Sequence, residues 1–244
     1  MKNIFKKLYV RVILYFFIII SVAPNLLYFP IKKVHETNYF VEDIYFNSID
    51  NTRLNAWYIP AEKDFPTIVF SHGNGGNISY FFPMLEAVVD KGYGVFIYDY
   101  RGYGKSKGFP YEKGLYNDLR GAIRFLNTEK KIENKDIILW GLSIGGGVSS
   151  KIASESNFRA VILHNTFSNI KDEAKVRVRN ILKWEKAEAI TNIVPFLQMY
   201  DTYGRIDKIT APIFIIHSKG DEFIPYQQAQ KNHSRNPNSI LKIV

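Results

Sequence analysis

The chain has 244 residues, 46% of them hydrophobic, which suits one globular domain with an N-terminal appendage and excludes a disordered chain. It contains no cysteine, so disulfides, zinc–thiolate sites and cysteine nucleophiles are excluded. The net charge of +9 is dispersed, with no helix carrying a dense basic face beside stacking aromatic residues, and this pattern argues against a nucleic-acid partner.

The first thirty residues are basic and then apolar. Four basic residues, at positions 2, 6, 7 and 11, precede the apolar run 12–23. As a helix, residues 8–29 would reach about 33 Å, close to the hydrocarbon thickness of a bilayer. We therefore predict a signal-anchor, a single transmembrane helix, within residues 1–30. The excess of positive charge before the apolar run predicts a cytoplasmic N-terminus, with the rest of the chain on the far side of the membrane, which is the periplasm in a bacterium.

A cleaved signal peptide is the alternative for the same stretch. Ser21 and Ala23 are small residues at the spacing of a cleavage site. Pro24 would then begin the mature chain, which signal peptidases handle poorly, and apolar sequence continues at residues 26–29. We therefore favour the retained anchor.

From residue 40 onward, strand patterns alternate with helix patterns. The predicted strands are an opening hairpin at 40–46 and 54–59, followed by 67–70, 93–98, 137–140, 160–163, 212–216 and 240–244. The predicted helices are 80–90, 111–127, about 144–154, and one between the last two strands. Repeated β–α units predict a fold of the α/β class, with a mostly parallel sheet and helices on both faces.

Residues 166–205 break this alternation with helical sequence of mixed charge. We expect them to form a lid over the site, inserted in a single domain that covers residues 31–244. Eight large apolar side chains between positions 181 and 197 would either line a pocket for an acyl chain or only pack the lid on the domain. The cationic Lys175, Arg177 and Arg179 would either meet anionic head groups or form a solvated helix face.

Residues 141–145, Gly-Leu-Ser-Ile-Gly, follow an apolar strand and open a predicted helix. This is the G-x-S-x-G nucleophile elbow in the strand–turn–helix context that the motif requires. The turn holds the Ser143 hydroxyl at the carboxyl edge of the sheet, and the helix N-terminus aims backbone N–H groups at any oxyanion formed there. Ser143 is therefore the predicted nucleophile.

Ligands of such sheets bind beyond the carboxyl ends of the strands, so the loops at strand ends are the candidates for chemistry. The loop 71–77 is rich in glycine, and we expect the backbone N–H of Asn74, together with that of Ile144, to form an oxyanion hole. An ordinary glycine-rich turn is the alternative. Asp99 and Arg101, after the next strand, are expected to brace their loop against the floor of the site.

The loop 217–225, after the strand at 212–216, contains Asp221. A carboxylate at this position can orient and stabilise a catalytic histidine. The alternative role is a helix N-cap, because aspartate is a favoured capping residue. His217 and His72 are expected to brace loops rather than to act as the base.

Four motifs, HGNGGN, DYRGYGKS, GLSIGGG and GDEFIP, occur in this order between residues 72 and 225. In order and spacing they resemble the α/β-hydrolase superfamily, and most of all its membrane-anchored serine hydrolases of the Bem46-like and ABHD13/ABHD17 type. The resemblance covers about residues 30–244. A weaker resemblance to serine aminopeptidases of the same fold leaves a peptidase activity open.

The resemblance implies a serine hydrolase that cleaves acyl esters or thioesters through an acyl-enzyme. It implies Ser143 as the nucleophile, Asp221 as the acid, and the Asn74 and Ile144 amides as the oxyanion donors. It also implies a single N-terminal anchor, and a small acyl compound or a lipidated species as the substrate. We expect no cofactor and no metal.

The triad histidine of this family follows the last strand, and the sequence as given ends on that strand at Val244. We therefore expect the histidine loop and a final strand–helix unit to be missing, as in a truncated or degraded gene product. His164, at the end of the strand 160–163, and His233, in or after the helix that follows Pro225, are the candidate substitute bases. A catalytically inactive hydrolase, or a non-enzymatic binding remnant of the same fold, is the alternative function.

Overall fold

The computed structural model describes residues 28–171 and 199–244. In chain order, the strands of these residues are β1 (Phe29–Pro30), β2 (Glu42–Asn47), β3 (Arg53–Ile59), β4 (Thr67–Ser71), β5 (Gly75–Gly76), β6 (Gly94–Tyr98), β7 (Ile137–Leu142), β8 (Ala160–His164), β9 (Ile213–His217) and β10 (Ile240–Ile243). The helices are α1 (Ile78–Phe81), α2 (Glu86–Val89), α3 (Glu112–Thr128), α4 (Ile144–Ala153) and α5 (Gln227–Arg235). Short 3₁₀ turns lie at Phe82–Met84, Asn134–Asp136 and Ile206–Lys208.

Eight of these strands form one sheet in the order β10-β9-β8-β7-β4-β6-β3-β2. β3 is antiparallel to both of its neighbours, β2 and β6. All the pairs from β6 to β10 are parallel, so the carboxyl ends of β4, β6, β7, β8, β9 and β10 share one edge of the sheet. We call this the carboxyl edge. The predicted mostly parallel sheet is confirmed.

Side chains of successive strand residues point to opposite faces of the sheet, and the two faces bury separate cores. Val69 and Phe96 lie in the core that packs against α3 and α4. Ile68 and Val95, their neighbours in sequence, lie in the second core, on the side of the segment 78–85. Helices therefore cover both faces, as predicted.

The helix predicted over residues 80–90 is wrong. The segment is instead broken into α1, the 3₁₀ turn Phe82–Met84 and α2. Pro83 lies in that 3₁₀ turn and has no backbone N–H to donate, so a continuous helical ladder cannot pass through it.

The N-terminal prediction falls mostly on residues 1–27, which lie outside the described ranges. Within residues 28–171 and 199–244, no helix is long and apolar enough to cross a membrane. Phe29–Pro30, included in the predicted anchor, instead forms β1, which pairs in parallel with β5. This contact fixes the start of the domain beside the loop 71–77.

Candidate active site

Ser143 lies in a strained turn between β7 and α4. Its φ of 55° and ψ of −118° are rare for a residue that carries a side chain. The Ser143 N–H donates to the carbonyl oxygen of His164 at 2.9 Å, and the Thr166 hydroxyl donates to the Ser143 carbonyl oxygen at 2.6 Å. Both partners belong to the end of β8 and the loop that follows it, so the neighbouring strand holds the elbow in place.

The glycines of the elbow are required by close packing. A methyl group on Gly145 would overlap the carbonyl oxygen of Ser71, and one on Gly141 would overlap the backbone of Gly145. The absent side chains let α4 begin directly against the end of β4. Ile144 is the first residue of α4, and the first N–H groups of a helix have no acceptor within it. The structure thus places the Ile144 amide next to Ser143, where the sequence predicted it.

Two buried tyrosines support the loop that contains Asn74. The Tyr103 hydroxyl lies 2.7 Å from the Asn74 carbonyl oxygen and 3.0 Å from its side-chain oxygen. The Tyr100 hydroxyl donates to the carbonyl oxygen of His72 at 3.0 Å. Burial raises the pKa of the Tyr103 hydroxyl, which therefore stays protonated and able to donate. The sequence analysis missed both tyrosines, although they belong to the DYRGYGKS motif.

Asp99 braces the same loop from below. Its carboxylate accepts the N–H of Ile78 at 2.9 Å and lies 3.8 Å from Nε2 of His72. The side chains of Asp99 and His72 are both fully buried. Burial raises the pKa of Asp99 to about 7 and lowers the pKa of His72 to about 4. The two groups therefore favour a neutral pair. The predicted bracing roles of Asp99 and His72 agree with these contacts.

Arg101 braces its loop as predicted, but against α3 and the β2–β3 turn rather than against the floor of the site. Its guanidinium donates to the buried carboxylate of Asp118 in α3 at 2.7 Å and to Asp50 in the β2–β3 turn at 2.9 Å. A buried carboxylate without a partner is costly, so Asp118 determines where the arginine lies. Arg101 thus ties the loop after β6 to α3 and to the β2–β3 turn.

Asp221 lies in the loop after β9, close to a buried histidine. Its Oδ1 accepts the N–H groups of Phe223 and Ile224, each at 2.9 Å. Its Oδ2 lies 3.7 Å from Nε2 of His217, which donates to the carbonyl oxygen of Ile224 at 2.7 Å. The alternative role of Asp221 as a helix N-cap is wrong, because Tyr226 occupies the N-cap position of α5. His217 braces the loop as expected, and the triad role of Asp221 remains a prediction.

His164 ends β8 at the carboxyl edge, opposite Leu142 and beside the elbow. Its Nδ1 is buried and has no hydrogen-bond partner among the residues that the structure describes. Burial lowers the pKa of His164, nearby His217 lowers it further, and the Asp221 carboxylate raises it. His164 lies opposite Ile216, the residue before His217, and His217 lies beside Asp221, so these three side chains share the part of the carboxyl edge next to Ser143.

His233 does not reach this cluster. It lies in α5, and its Nδ1 is 2.8 Å from the hydroxyl of Ser239. Ser239 directly precedes β10, at the amino end of a parallel strand. The structure therefore places His233 towards the edge opposite Ser143.

Only the two ends of the predicted lid lie in the described residues. Thr166 at one end binds the elbow, as described above, and Tyr200 at the other packs against Gly147 of α4. The Tyr200 hydroxyl also lies 2.6 Å from the hydroxyl of Tyr28, so this end contacts the residue that precedes β1. Residues 172–198, including the apolar and cationic lid residues named above, are outside the described ranges, and the lid remains a prediction.

The sheet order and the strained serine elbow define an α/β hydrolase. The sequence profile of the alpha/beta hydrolase fold matches residues 66–197, more than half of the chain. The chain therefore belongs to the α/β-hydrolase family.

Its relatives include proteins from bacteria, plants and fungi. The uncharacterised protein YfhR of Escherichia coli K12 is 30% identical over 244 residues, which cover 93% of this chain and 80% of that protein. The alpha/beta hydrolase domain-containing protein WAV2 of Arabidopsis thaliana is 33% identical over 77% of this chain and 64% of its own length. The uncharacterised membrane protein YNL320W of Saccharomyces cerevisiae is 31% identical over 80% of this chain and 67% of its own length.

Solved structures share the fold at lower identity. The esterase Pf2001 of Pyrococcus furiosus matches with a TM-score of 0.73 and 20% identity, over 89% of this chain and 88% of that chain. The esterase EaEST of Exiguobacterium antarcticum matches with a TM-score of 0.63 and 21% identity, over 83% and 90% of the two chains. At this identity the likeness establishes the architecture.

Proposed function

We propose that this protein is a serine hydrolase that cleaves carboxylic esters or thioesters through an acyl-enzyme on Ser143. The observation that carries the proposal is the strained elbow, with a non-glycine φ of 55° at the entrance to α4. Strain of about 1–3 kcal/mol persists only where the surroundings enforce it, and such residues cluster at active sites. The names of the two esterases of similar fold support the ester class.

In the proposed reaction, Oγ of Ser143 attacks the substrate carbonyl carbon and forms a tetrahedral intermediate. The N–H groups of Asn74 and Ile144 donate to the oxyanion. Collapse of the intermediate breaks the bond to the alcohol or thiol, which leaves with a proton from the base. Water then hydrolyses the acyl-enzyme and releases the acid.

The general base of this proposal is His164. In the family resemblance Asp221 orients a histidine, and of the histidines at the carboxyl edge His164 lies directly beside the elbow, where its carbonyl oxygen accepts the Ser143 N–H. Its lowered pKa keeps the imidazole neutral, the form that can accept the Ser143 proton. If His164 is the base, His164→Gln abolishes the reaction of Ser143, whereas His233→Gln leaves it unchanged. Equal rates in both variants and the parent would exclude both histidines.

The nucleophile is tested with a fluorophosphonate probe on the full chain. We expect covalent labelling that is lost in Ser143→Ala and retained in Ser154→Ala, which changes a half-buried serine at the other end of α4. Labelling that survives Ser143→Ala would contradict the assignment. An acyl ester series measured beside an aminoacyl anilide then separates the esterase from the aminopeptidase alternative.

A non-catalytic binding protein is the second candidate. It is favoured by one observation: among the described residues, no hydrogen bond joins the Ser143 hydroxyl to any of the five histidines of the chain. Absence of labelling in a folded protein would favour this candidate over the hydrolase.

Within the family, the proposed subtype is the membrane-anchored Bem46-like and ABHD13/ABHD17 type, with the anchor within residues 1–27 and the domain on the far side. The basic-then-apolar sequence supports it, as does the description of YNL320W as a membrane protein. An alkaline phosphatase fusion after residue 60, expressed in a bacterium, should be active. An inactive fusion would contradict the topology.

A further inference from the structure

The chain that follows the predicted anchor enters the domain at the candidate oxyanion loop. Phe29 of β1 lies opposite Gly75 of β5, the residue directly after Asn74. The N–H of Ile31 donates to the carbonyl oxygen of Gly76 at 3.1 Å. The N-terminal strand thus forms one wall of the loop.

Residues 28–33, which we call the strap, are held from two loops at once. The Asn77 side-chain amide donates to the carbonyl oxygens of Ile31 at 2.9 Å and Lys33 at 2.7 Å. The N–H of Gly104, in the loop after β6, donates to the Ile31 carbonyl oxygen at 3.1 Å. At its start the strap is fixed by buried Tyr28, whose hydroxyl contacts that of Tyr200. The strap is therefore a fixed part of the carboxyl edge.

The covalent chain limits how far this edge can lie from the anchor. The predicted anchor precedes Tyr28 directly if the apolar residues 26 and 27 belong to it. If it ends at Ala23 instead, five peptide units of at most about 3.6 Å each give about 18 Å. An anchor in a membrane therefore holds the oxyanion loop close to the membrane surface. Lys32 and Lys33 are exposed on the strap, where cationic side chains favour anionic lipid head groups.

We propose that the carboxyl edge rests against the bilayer surface, and that the substrate is a long-chain acyl ester whose chain is held in that bilayer. The inference rests on the proposed anchor and hydrolase activity. Phe29 (64% exposed) and Phe223 (70% exposed) lie at this edge, on the strap and in the Asp221 loop. Exposed aromatic residues alone do not determine the orientation, because the opposite edge of the sheet has one as well. Phe40 is 93% exposed and directly precedes the start of β2, which lies at that opposite edge. The position of the strap decides it.

The chain has no cysteine, so a fluorophore attached to one introduced cysteine labels that position alone. Phe29→Cys and Phe223→Cys probe the carboxyl edge, and Phe40→Cys is the matched control at the opposite edge. Each full-length variant is labelled at its cysteine with an environment-sensitive fluorophore and reconstituted in vesicles of phosphatidylcholine and phosphatidylglycerol. The vesicles also contain a lipid with a spin label on its head group, which quenches a fluorophore at the membrane surface. We expect several-fold stronger quenching at positions 29 and 223 than at position 40. Equal quenching, stronger quenching at position 40, or no quenching anywhere would overturn the orientation.

The substrate class is measured separately, as hydrolysis of a long-chain fluorogenic ester in the vesicles against a soluble short-chain ester. Preference for the vesicle-borne ester is expected, and a preference for the soluble one would overturn this part. Fluorophosphonate labelling of the same samples keeps the two proposals apart. Labelling without a difference in quenching would support the proposed hydrolase activity and contradict the membrane orientation. A difference in quenching without labelling would support the orientation and contradict the hydrolase activity.

Discussion

The two halves of the candidate site differ in what holds them in place. The nucleophile half, residues 71–77 and 141–147, is fixed by backbone hydrogen bonds, close glycine contacts and buried tyrosine hydroxyls. The acid–base half consists of His164, His217 and Asp221. There, Nδ1 of both histidines is buried without a hydrogen-bond partner among the described residues.

This difference shows which part of the site the described residues build by themselves. Buried polar atoms in folded proteins nearly always have a partner, and one left without it costs about 1–3 kcal/mol. The two imidazole nitrogens therefore mark a place where a further polar group, such as water or substrate, can bind. The nucleophile half also contains one such atom, Nε2 of His72, but the hydrogen bonds that hold its serine turn all lie within the described residues.

The largest effect is expected from Gly145→Ala, which would break the nucleophile half. The added methyl group overlaps the Ser71 carbonyl oxygen, a backbone atom that cannot move without shifting β4. We expect a loss of about 3 kcal/mol in the free energy of unfolding, measured by urea denaturation, and loss of probe labelling. Gly220→Ala is the control, because the nearest atom to its new methyl group is 3.9 Å away. Equal stability of the two variants would contradict the packing argument.

Asp99→Asn tests the neutral pair beneath the oxyanion loop. The pKa of Asp99 is raised from 3.8 to about 7, so the folded state retains a proton that the unfolded state has lost. The stability from this group is present at acid pH and is lost as the pH rises from about 4 to about 7. Asparagine cannot ionise, so between about pH 5 and pH 8 the variant should gain about 2 kcal/mol relative to the parent. A difference that is independent of pH would show that Asp99 is charged in the folded protein.

A smaller effect is expected from Tyr103→Phe, which removes the hydroxyl bound to Asn74. The free energy of unfolding should fall by about 1 kcal/mol, as for the loss of one buried hydrogen bond. The rate of probe labelling should fall by about tenfold, because a displaced Asn74 amide weakens stabilisation of the oxyanion. The exposed Tyr45→Phe is the control. Unchanged labelling in Tyr103→Phe would show that Asn74 keeps its position without this bond.

The sequence predicted the nucleophile half because local rules determine it. Gly141 and Gly145, each two residues from Ser143, lie between an apolar strand and a helix, and this pattern is compatible with few backbone conformations. The structure shows the predicted turn. The tyrosine supports could not be predicted, since the contact between Tyr103 and Asn74 joins positions 29 residues apart across two loops. Similarly, no periodic pattern in the sequence indicates that two residues, Phe29–Pro30, pair with Gly75–Gly76.

The acid–base half was predicted less well because its residues have more than one use. Arg101, which lies outside this half, shows the same difficulty, because the buried carboxylate of Asp118 binds it away from the floor of the site. Asp221 lies in the loop after β9, as its position in the sequence predicts, but its hydrogen bonds to Phe223 and Ile224 are those of a residue that shapes a turn. A motif gives the position of such a carboxylate and does not separate the two roles.

The smallest effect on stability, and the sharpest test of this half, is expected from Asp221→Asn beside Asp221→Ala. Asparagine keeps an oxygen for the Phe223 and Ile224 N–H groups, so the free energy of unfolding should change by less than about 0.5 kcal/mol, against about 1 kcal/mol for alanine. A role in orienting a cationic imidazole depends on the charge, which both variants lack, so both should lose probe labelling to the same extent. Glu222→Gln, which removes a neighbouring exposed charge, is the control. If labelling were instead unchanged in Asp221→Asn and reduced in Asp221→Ala, in parallel with stability, the role of Asp221 would be limited to shaping its loop.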